Sequence, residues 1–288
     1  MDVAGALLAV AGLGAVIYGL NAGAAGDWLS LGIVASLLGG VLCLAALPPV
    51  ERRLPAPMLR LALFRSRQFD AINATTVLFY GALGAASYLL ILECQLELGY
   101  SAAQAGAALI PESVVFVAIA PLSGRLVARL GPRWLMVAGM LAVAGALVWL
   151  GAADRGAPYA SAILPGVLLW GLGIGLAVTP LTAAVLASVG DTDLGEASAI
   201  NDAASRIGGV VAIAVVPALL GAGGTSLAGA LTDGYQDAMI VMAGLCVAGA
   251  VVTALFVSDA RAAGPLIAPH PQAHGCALPD PHPTPRRS

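Results

Sequence analysis

The sequence predicts an all-α polytopic membrane protein with eight transmembrane helices, and three observations carry that reading. Of the 288 residues, 59% are apolar and only 10% charged, and the mean hydropathy is +0.92. Soluble domains carry about 25% charged residues, and a soluble fold with so few would expose more apolar surface than single domains tolerate. The apolar residues run in continuous blocks, whereas lipid-facing barrel strands would alternate. Finally, the arginines fall almost entirely into alternate loops. An ordinary cytosolic enzyme, a nucleic-acid binder and a disordered chain are excluded, and a net charge of −3 offers no field to polyanions.

A helix needs about 20 apolar residues to cross the hydrocarbon core. Eight segments meet that length: Val3–Leu20, Leu29–Leu47, Ala71–Leu92, Ala102–Pro121, Trp134–Gly151, Ser161–Ser188, Ala199–Leu220 and Asp237–Val257. Small residues recur within them at close spacing, as at Gly5, Gly12 and Gly19 or Gly171, Gly173 and Gly175. In lipid such residues let helices approach closely.

All 13 basic residues are Arg. Arg52, Arg53, Arg60, Arg65 and Arg67 follow the second span, Arg125, Arg129 and Arg133 follow the fourth, and Arg261, Arg286 and Arg287 lie in the tail. Against these eleven the opposite side holds Arg155 alone, with Arg206 close to a helix start. The positive-inside rule therefore puts both termini in the cytoplasm. The chain divides into a helical pair (1–48), an Arg-rich cytoplasmic loop (49–70), six spans (71–257) and a tail (258–288). The Pro-rich tail holds His270, His274 and His282 and reads as a disordered cytoplasmic segment. Cys43, Cys94, Cys246 and Cys276 are scattered without metal-ligand spacing and read as small hydrophobes, so neither a metal nor a cofactor is expected. The acidic start MDVAGALLAV does not resemble a signal peptide.

Polar residues inside spans are costly, so their distribution marks the helices that face water. The third span holds Asn73, Thr75, Thr76, Tyr80 and Ser87 and runs on to Glu93, Gln95 and Glu97. The fourth carries Gln104, Glu112 and Ser113, the sixth Thr179 and Thr182, and the seventh Asn201, Asp202, Ser205 and Arg206. The fifth and eighth are almost purely apolar. Spans three, four, six and seven are therefore expected to line a polar cavity, with five and eight toward lipid.

Glu112 follows Pro111 about ten residues into its span, near the bilayer midplane. A charge there costs about 2.5–3.5 kcal/mol on insertion scales. It reads either as a proton or cation site facing the cavity or as a protonated carboxyl held by a neighbouring helix. Asp202 and Arg206, four apart, share a helix face and are expected to form an ion pair where the helix leaves the cytoplasm. A substrate role for that pair is the alternative. Glu93 and Glu97 read as a solvated outer rim. No span contains His, and no Ser or Cys has an evident general base, which disfavours an enzyme.

The string PLSGRLVARLGPRW resembles the Gly-x-Leu-Ala-Asp-Arg-x-Gly-Arg/Lys signature of the major facilitator superfamily, in the copy between the second and third helices of the C-terminal half. Gly124, Arg125, Arg129, Gly131 and Arg133 fit the signature, and Ala128 stands in place of its Asp. With LFRSRQFDAINATTVLFYGALGAASYLL, LELGYSAAQAGAALIP, ILPGVLLWGLGIGLAVTPLTAAVLASV and GEASAINDAASRIGGVVAIAVVP, residues 1 to about 257 resemble the fourteen-helix drug:proton antiporter branch.

The resemblance implies a bacterial inner-membrane protein whose first two spans are that branch's extra central pair and whose residues 71–257 are the C-terminal six-helix half. It implies export of small amphipathic compounds against proton entry. The cavity candidates are then Asn73, Thr76, Tyr80, Gln95, Thr179, Thr182 and Asn201, with Glu112 as the proton site and the three loop arginines in a cytoplasmic gate. Its partners would be the lipid bilayer, the substrate and protons. The N-terminal half of such a transporter has no counterpart here, so an incomplete chain, or one completed in trans, is expected. An inactive fragment, a non-transporting scaffold and a metabolite carrier of the same fold are the alternatives.

Overall fold

The computed structural model describes residues 3–25, 30–51, 61–154, 156–220 and 227–259. The described residues are helical with no strand: α1 (Val3–Ala25), α2 (Leu31–Glu51), α3 (Arg67–Leu96), α4 (Ala102–Ala107), α5 (Ile110–Leu130), α6 (Pro132–Gly151), α7 (Tyr159–Ala162), α8 (Leu164–Ala187), α9 (Leu194–Leu219) and α10 (Leu227–Phe256). Short 3-10 turns at Leu61–Arg65 and Asp191–Asp193 lead into α3 and α9. The tail beyond Asp259, with Cys276 and the three histidines, lies outside the described residues, as do Arg52, Arg53, Arg60 and Arg155, whereas Ser258 and Asp259, expected in a disordered segment, are ordered against the bundle.

Six helical stretches are long and apolar enough to cross a membrane: Arg67–Leu96, Ala102–Leu130, Pro132–Gly151, Leu164–Ala187, Asp191–Val216 and Leu231–Phe256. Helices α1 and α2 run 23 and 21 residues, and their described apolar stretches are the shorter Gly5–Gly19 and Leu31–Leu47. At 1.5 Å per residue both helices match a hydrocarbon core of about 30 Å. They pair with each other as a hairpin, and α1 also touches α9.

Several boundaries differ from the expected spans. Ser66 caps α3 by accepting from the Phe69 amide at 3.3 Å, so that helix starts at Arg67 rather than Ala71. The fourth span divides into α4 and α5 and continues through Pro121 to Leu130. The seventh begins at Leu194, five residues before Ala199.

Packing follows an open ring in the order α5, α8, α6, α10, α3, α9, with only slight contact across it. The core lies along α3, α6, α8 and α10, where Phe79, Leu89, Met136, Met140, Leu147, Trp170, Met239 and Cys246 are essentially inaccessible. Each of the apolar spans five and eight therefore has two faces. Inward residues of α6 and α10 build this core, and the stripes Leu141 and Val148, and Val247, Val251 and Leu255, point outward. Helices α5 and α9, at the ends of the ring, are the least covered, with 11% and 17% of their apolar windows buried against 39–50% in the other four spans.

Glycine sets the closeness of three crossings. A Cβ on Gly171 of α8 would overlap the carbonyl of Glu112 on α5, and one on Gly208 of α9 would overlap that of Val77 on α3. A Cβ on Gly173 of α8 would stand 2.8 Å from the Val143 nitrogen of α6. These are backbone-to-backbone contacts, which no side-chain movement relieves.

Candidate functional site

Asn73, Thr76 and Tyr80 recur at intervals of three and four along α3 and so share one face. Helix α9 covers the lower part of that face, and the Gly208 crossing brings the two backbones close enough for short polar side chains to meet. Asn201 donates from Nδ2 to Thr76 Oγ1 at 2.7 Å and to Asn73 Oδ1 at 3.3 Å. Asn73 donates in turn to the Phe69 carbonyl at 2.9 Å, and Thr76 to that of Ile72 at 2.9 Å. Asn73 and Thr76 are buried and Asn201 and Tyr80 half-buried, so the cluster opens at its α9 edge. On the far side of α3, Thr75 and Thr253 of α10 share a buried hydroxyl contact of 3.2 Å. Replacing Asn201 by Leu removes both donations and leaves Asn73 Oδ1 bare. A loss of about 1 kcal/mol is expected, the scale of interhelical hydrogen bonds in membranes. Thermal unfolding in detergent measures it, and an unchanged midpoint would mean that the cluster adds no stability.

The other candidates lie elsewhere. Gln95 is 22 residues beyond Asn73 on α3, about 33 Å along the axis, and stands at the opposite end of the bundle. Thr179 of α8 is half-buried, with its methyl 3.6 Å from where a Cβ of Gly124 would lie. Thr182 is exposed and returns its hydroxyl to the Val178 carbonyl at 3.2 Å. Glu112 is half-buried in the first turn of α5, seated against Gly171 of α8, so it stands across the open ring from the Asn201 cluster. Sequence reasoning passed over Ser123, fully buried, which ties α5 to α8 through the Leu176 carbonyl at 3.3 Å.

Asp202 and Arg206 do pair, with Nε to Oδ2 at 2.9 Å. They are the ninth and thirteenth residues of α9, not at its start, because the helix begins at Leu194. Both side chains are more than 60% exposed. An exposed ion pair midway along an apolar span is incompatible with a hydrocarbon neighbour, so this face of α9 meets water or protein.

Of the two carboxylates expected on a solvated rim, Glu93 departs from that reading. Glu97 Oε1 accepts from Thr232 at 2.7 Å, but Glu93 is only 5% exposed and points into the bundle. It lines a cavity of about 230 Å³ with Tyr100, Asp154, Tyr159 and Tyr235. Among the described residues, no three His, Cys, Asp or Glu groups are placed to hold a metal ion.

At the other end of the bundle the loop signature folds as a clamp. Gly131 has φ +78°, the conformation that favours glycine, and a Cβ there would stand 2.6 Å from Asp259 Oδ1 and push that side chain aside. Asp259 accepts from the Arg133 amide at 3.2 Å, an N-cap for α6 supplied from beyond the end of α10. The Arg133 guanidinium donates to the Ala254 carbonyl in the last turn of α10 and lies 5.0 Å from the Trp134 ring centroid. Gly124 is half-buried, and Arg125 and Arg129 are exposed on α5.

The profile of the Major Facilitator Superfamily matches residues 2–212 and again 72–283. The chain belongs to that superfamily. A major facilitator protein of Mycobacterium tuberculosis, described as the uncharacterized MFS-type transporter EfpA, is 31% identical over 221 residues, covering 76% of this chain and 42% of the relative. The cephamycin export protein CmcT of Amycolatopsis lactamdurans is 30% identical over 267 residues, 92% of this chain and 55% of that one. The puromycin resistance protein pur8 of Streptomyces alboniger is 30% identical over 223 residues, 75% and 43%. These names agree with the drug:proton antiporter branch that the motifs resemble. The chain spans about half the length of the curated relatives it matches. It is a multi-pass bacterial membrane protein of the superfamily.

Proposed function

We propose that residues 1–288 form the central helical pair and C-terminal half of a proton-coupled efflux transporter for small amphipathic compounds. The observation that carries this reading is the exposed Asp202–Arg206 pair midway along α9, beside the Asn73–Thr76–Asn201 cluster. Together with the sparse cover on α5 and α9, it supports a wet central path flanked by these two helices. Secondary transporters bind near the midplane between two halves that rock, and α5 and α9 are the surfaces left for a second half. Residues 1–48 would be the linking pair, 71–257 the transporting half, and the arginine distribution supports cytoplasmic termini.

In this reading Asn73, Thr76, Tyr80, Thr179, Thr182 and Asn201 supply hydrogen bonds along the path, and Gln95 stands at its outer end. Glu112, the eleventh residue of its 29-residue span, takes up and releases the coupled proton. Arg125, Arg129 and Arg133 close the cytoplasmic side. The test joins residues 1–288 to the part of CmcT that lies outside the matched region, in a bacterial strain stripped of its own exporters, and follows loss of a fluorescent amphipathic dye. Efflux driven by an inward proton gradient is expected, with at least a tenfold slower rate for Glu112→Gln at equal protein level. Gradient-driven efflux unchanged in Glu112→Gln removes the carboxylate from coupling. A joined, folded protein that moves no dye in a compound panel favours a scaffold, and one that moves only metabolites favours a carrier.

A further inference from the structure

The junction between α4 and α5 has an arrangement that the transport reading does not use. In a continuous helix the Ala108 carbonyl would accept from the Glu112 amide. Here the Glu112 amide turns instead to the Leu109 carbonyl at 3.2 Å, and Pro111 brings no amide of its own. The Ala108 carbonyl is thereby released from the helix, and the hydroxyl of Tyr159, 51 residues on, donates to it at 2.8 Å. An unpaired carbonyl in that apolar setting would be costly. On the N-terminal side, Ser101 and Gln104 cap α4 reciprocally at 2.9 and 3.3 Å, which makes it a self-contained turn. Tyr159 and Tyr100 line both the Glu93 cavity and an open apolar cleft formed by Gln104, Ala107, Ile110 and Pro111. Burial, then the nearby Cys94 thiol and Tyr100 phenol, push the Tyr159 hydroxyl above its ordinary range, so it remains a donor at physiological pH.

We propose that Tyr159 is a positioning residue: its hydroxyl replaces the lost helical donor at Ala108, fixes the bend between α4 and α5, and so sets the turn that carries Glu112. The turn is held at two points, the Gly171 contact on α8 and the Tyr159 strut from α7. The strut is the releasable one, because it is a single hydrogen bond, whereas Gly171 meets backbone. Release frees α4 to swing about Pro111 and reorients Glu112. This last step rests on the proton role proposed for Glu112, but the strut itself does not.

The experiment is amide hydrogen exchange of the full chain in lipid nanodiscs, comparing wild type with Tyr159→Phe, Tyr159→Ala and Glu112→Gln. Tyr159→Phe keeps the ring and loses the hydroxyl. Exchange across residues 108–113 is expected to quicken about fivefold to tenfold, the scale of one lost hydrogen bond, with exchange in α6 unchanged. Glu112→Gln is expected to leave this exchange unaltered. The proposal is overturned if Tyr159→Phe exchanges like wild type, including the case in which only Tyr159→Ala quickens, since ring packing would then be responsible. It is equally overturned if Tyr159→Phe quickens every helix alike. A silent Glu112→Gln in the transport assay would remove the coupling role and leave the strut standing.

Discussion

Gly171→Ala is expected to lower stability by about 3 kcal/mol, the upper end of the range for overpacked cores, and to separate α5 from α8. The reason is the atom that the new methyl meets. It would overlap the Glu112 carbonyl, part of a helix backbone that can yield only by moving the whole helix. Gly208→Ala on α9, against the Val77 carbonyl, is expected to act similarly on the α3–α9 contact. The internal control is Gly244→Ala in α10, where nothing lies within 4 Å. Alanine there gains up to about 1 kcal/mol of helix propensity and meets no neighbour. Thermal unfolding in one detergent resolves the set, because a change of 1 kcal/mol moves the midpoint by about 2–4 °C in a chain of this size. A Gly171→Ala midpoint within a degree of wild type would mean that α5 and α8 do not approach this closely.

That contrast marks what the sequence makes legible. Hydrophobic run length and charge poverty suffice for the helices, because crossing lipid fixes both length and composition. The recurring glycines announce close contacts in general, yet Gly171 and Gly244 look alike as letters. Only the partner helix separates an essential glycine from a replaceable one. Similarly, Asn73, Thr76 and Asn201 stand out as polar residues in apolar spans, and the structure joins all three. Gln95 and Glu112 stand out equally and fall elsewhere, because depth and helix order are set by packing that a single sequence does not carry. Glu93 is the instructive error. A carboxylate near a helix end reads as surface, but its buried place depends on α3 running on to Leu96 and on the tyrosines that enclose it. The ion pair was legible as a pair from its spacing. Its position midway along α9 depended on a helix start hidden in the polar string DTDLGEAS.

Arg133→Ala is expected to cost about 1.5–3 kcal/mol, the range for a hydrogen bond from a charged group, and to loosen the end of the bundle at which α10 meets α6. The side chain satisfies the Ala254 carbonyl, one of the terminal carbonyls that a helix cannot satisfy internally, and its charge suits the negative end of the α10 dipole. Its contact with Trp134 adds about 0.5–1 kcal/mol at a partly exposed site, and a buried Nε with no acceptor among the described residues offsets part of the gain. Asp259 works through a different atom, the residue-133 amide, which alanine retains. Asp259→Ala should therefore cost about 1 kcal/mol as a lost cap, and Asp259→Asn less, because an amide oxygen still accepts. If the two contacts are separate, the costs of Arg133→Ala and Asp259→Ala add within about 0.5 kcal/mol. A double variant no worse than Arg133→Ala would instead mean that the guanidinium holds the chain end where Asp259 can cap. Additivity would give Asp259 an independent hold on the turn at Gly131 that joins α5 to α6. That distinction decides whether Asp259 holds the α5–α6 turn in its own right or whether the arginine alone does the clamping.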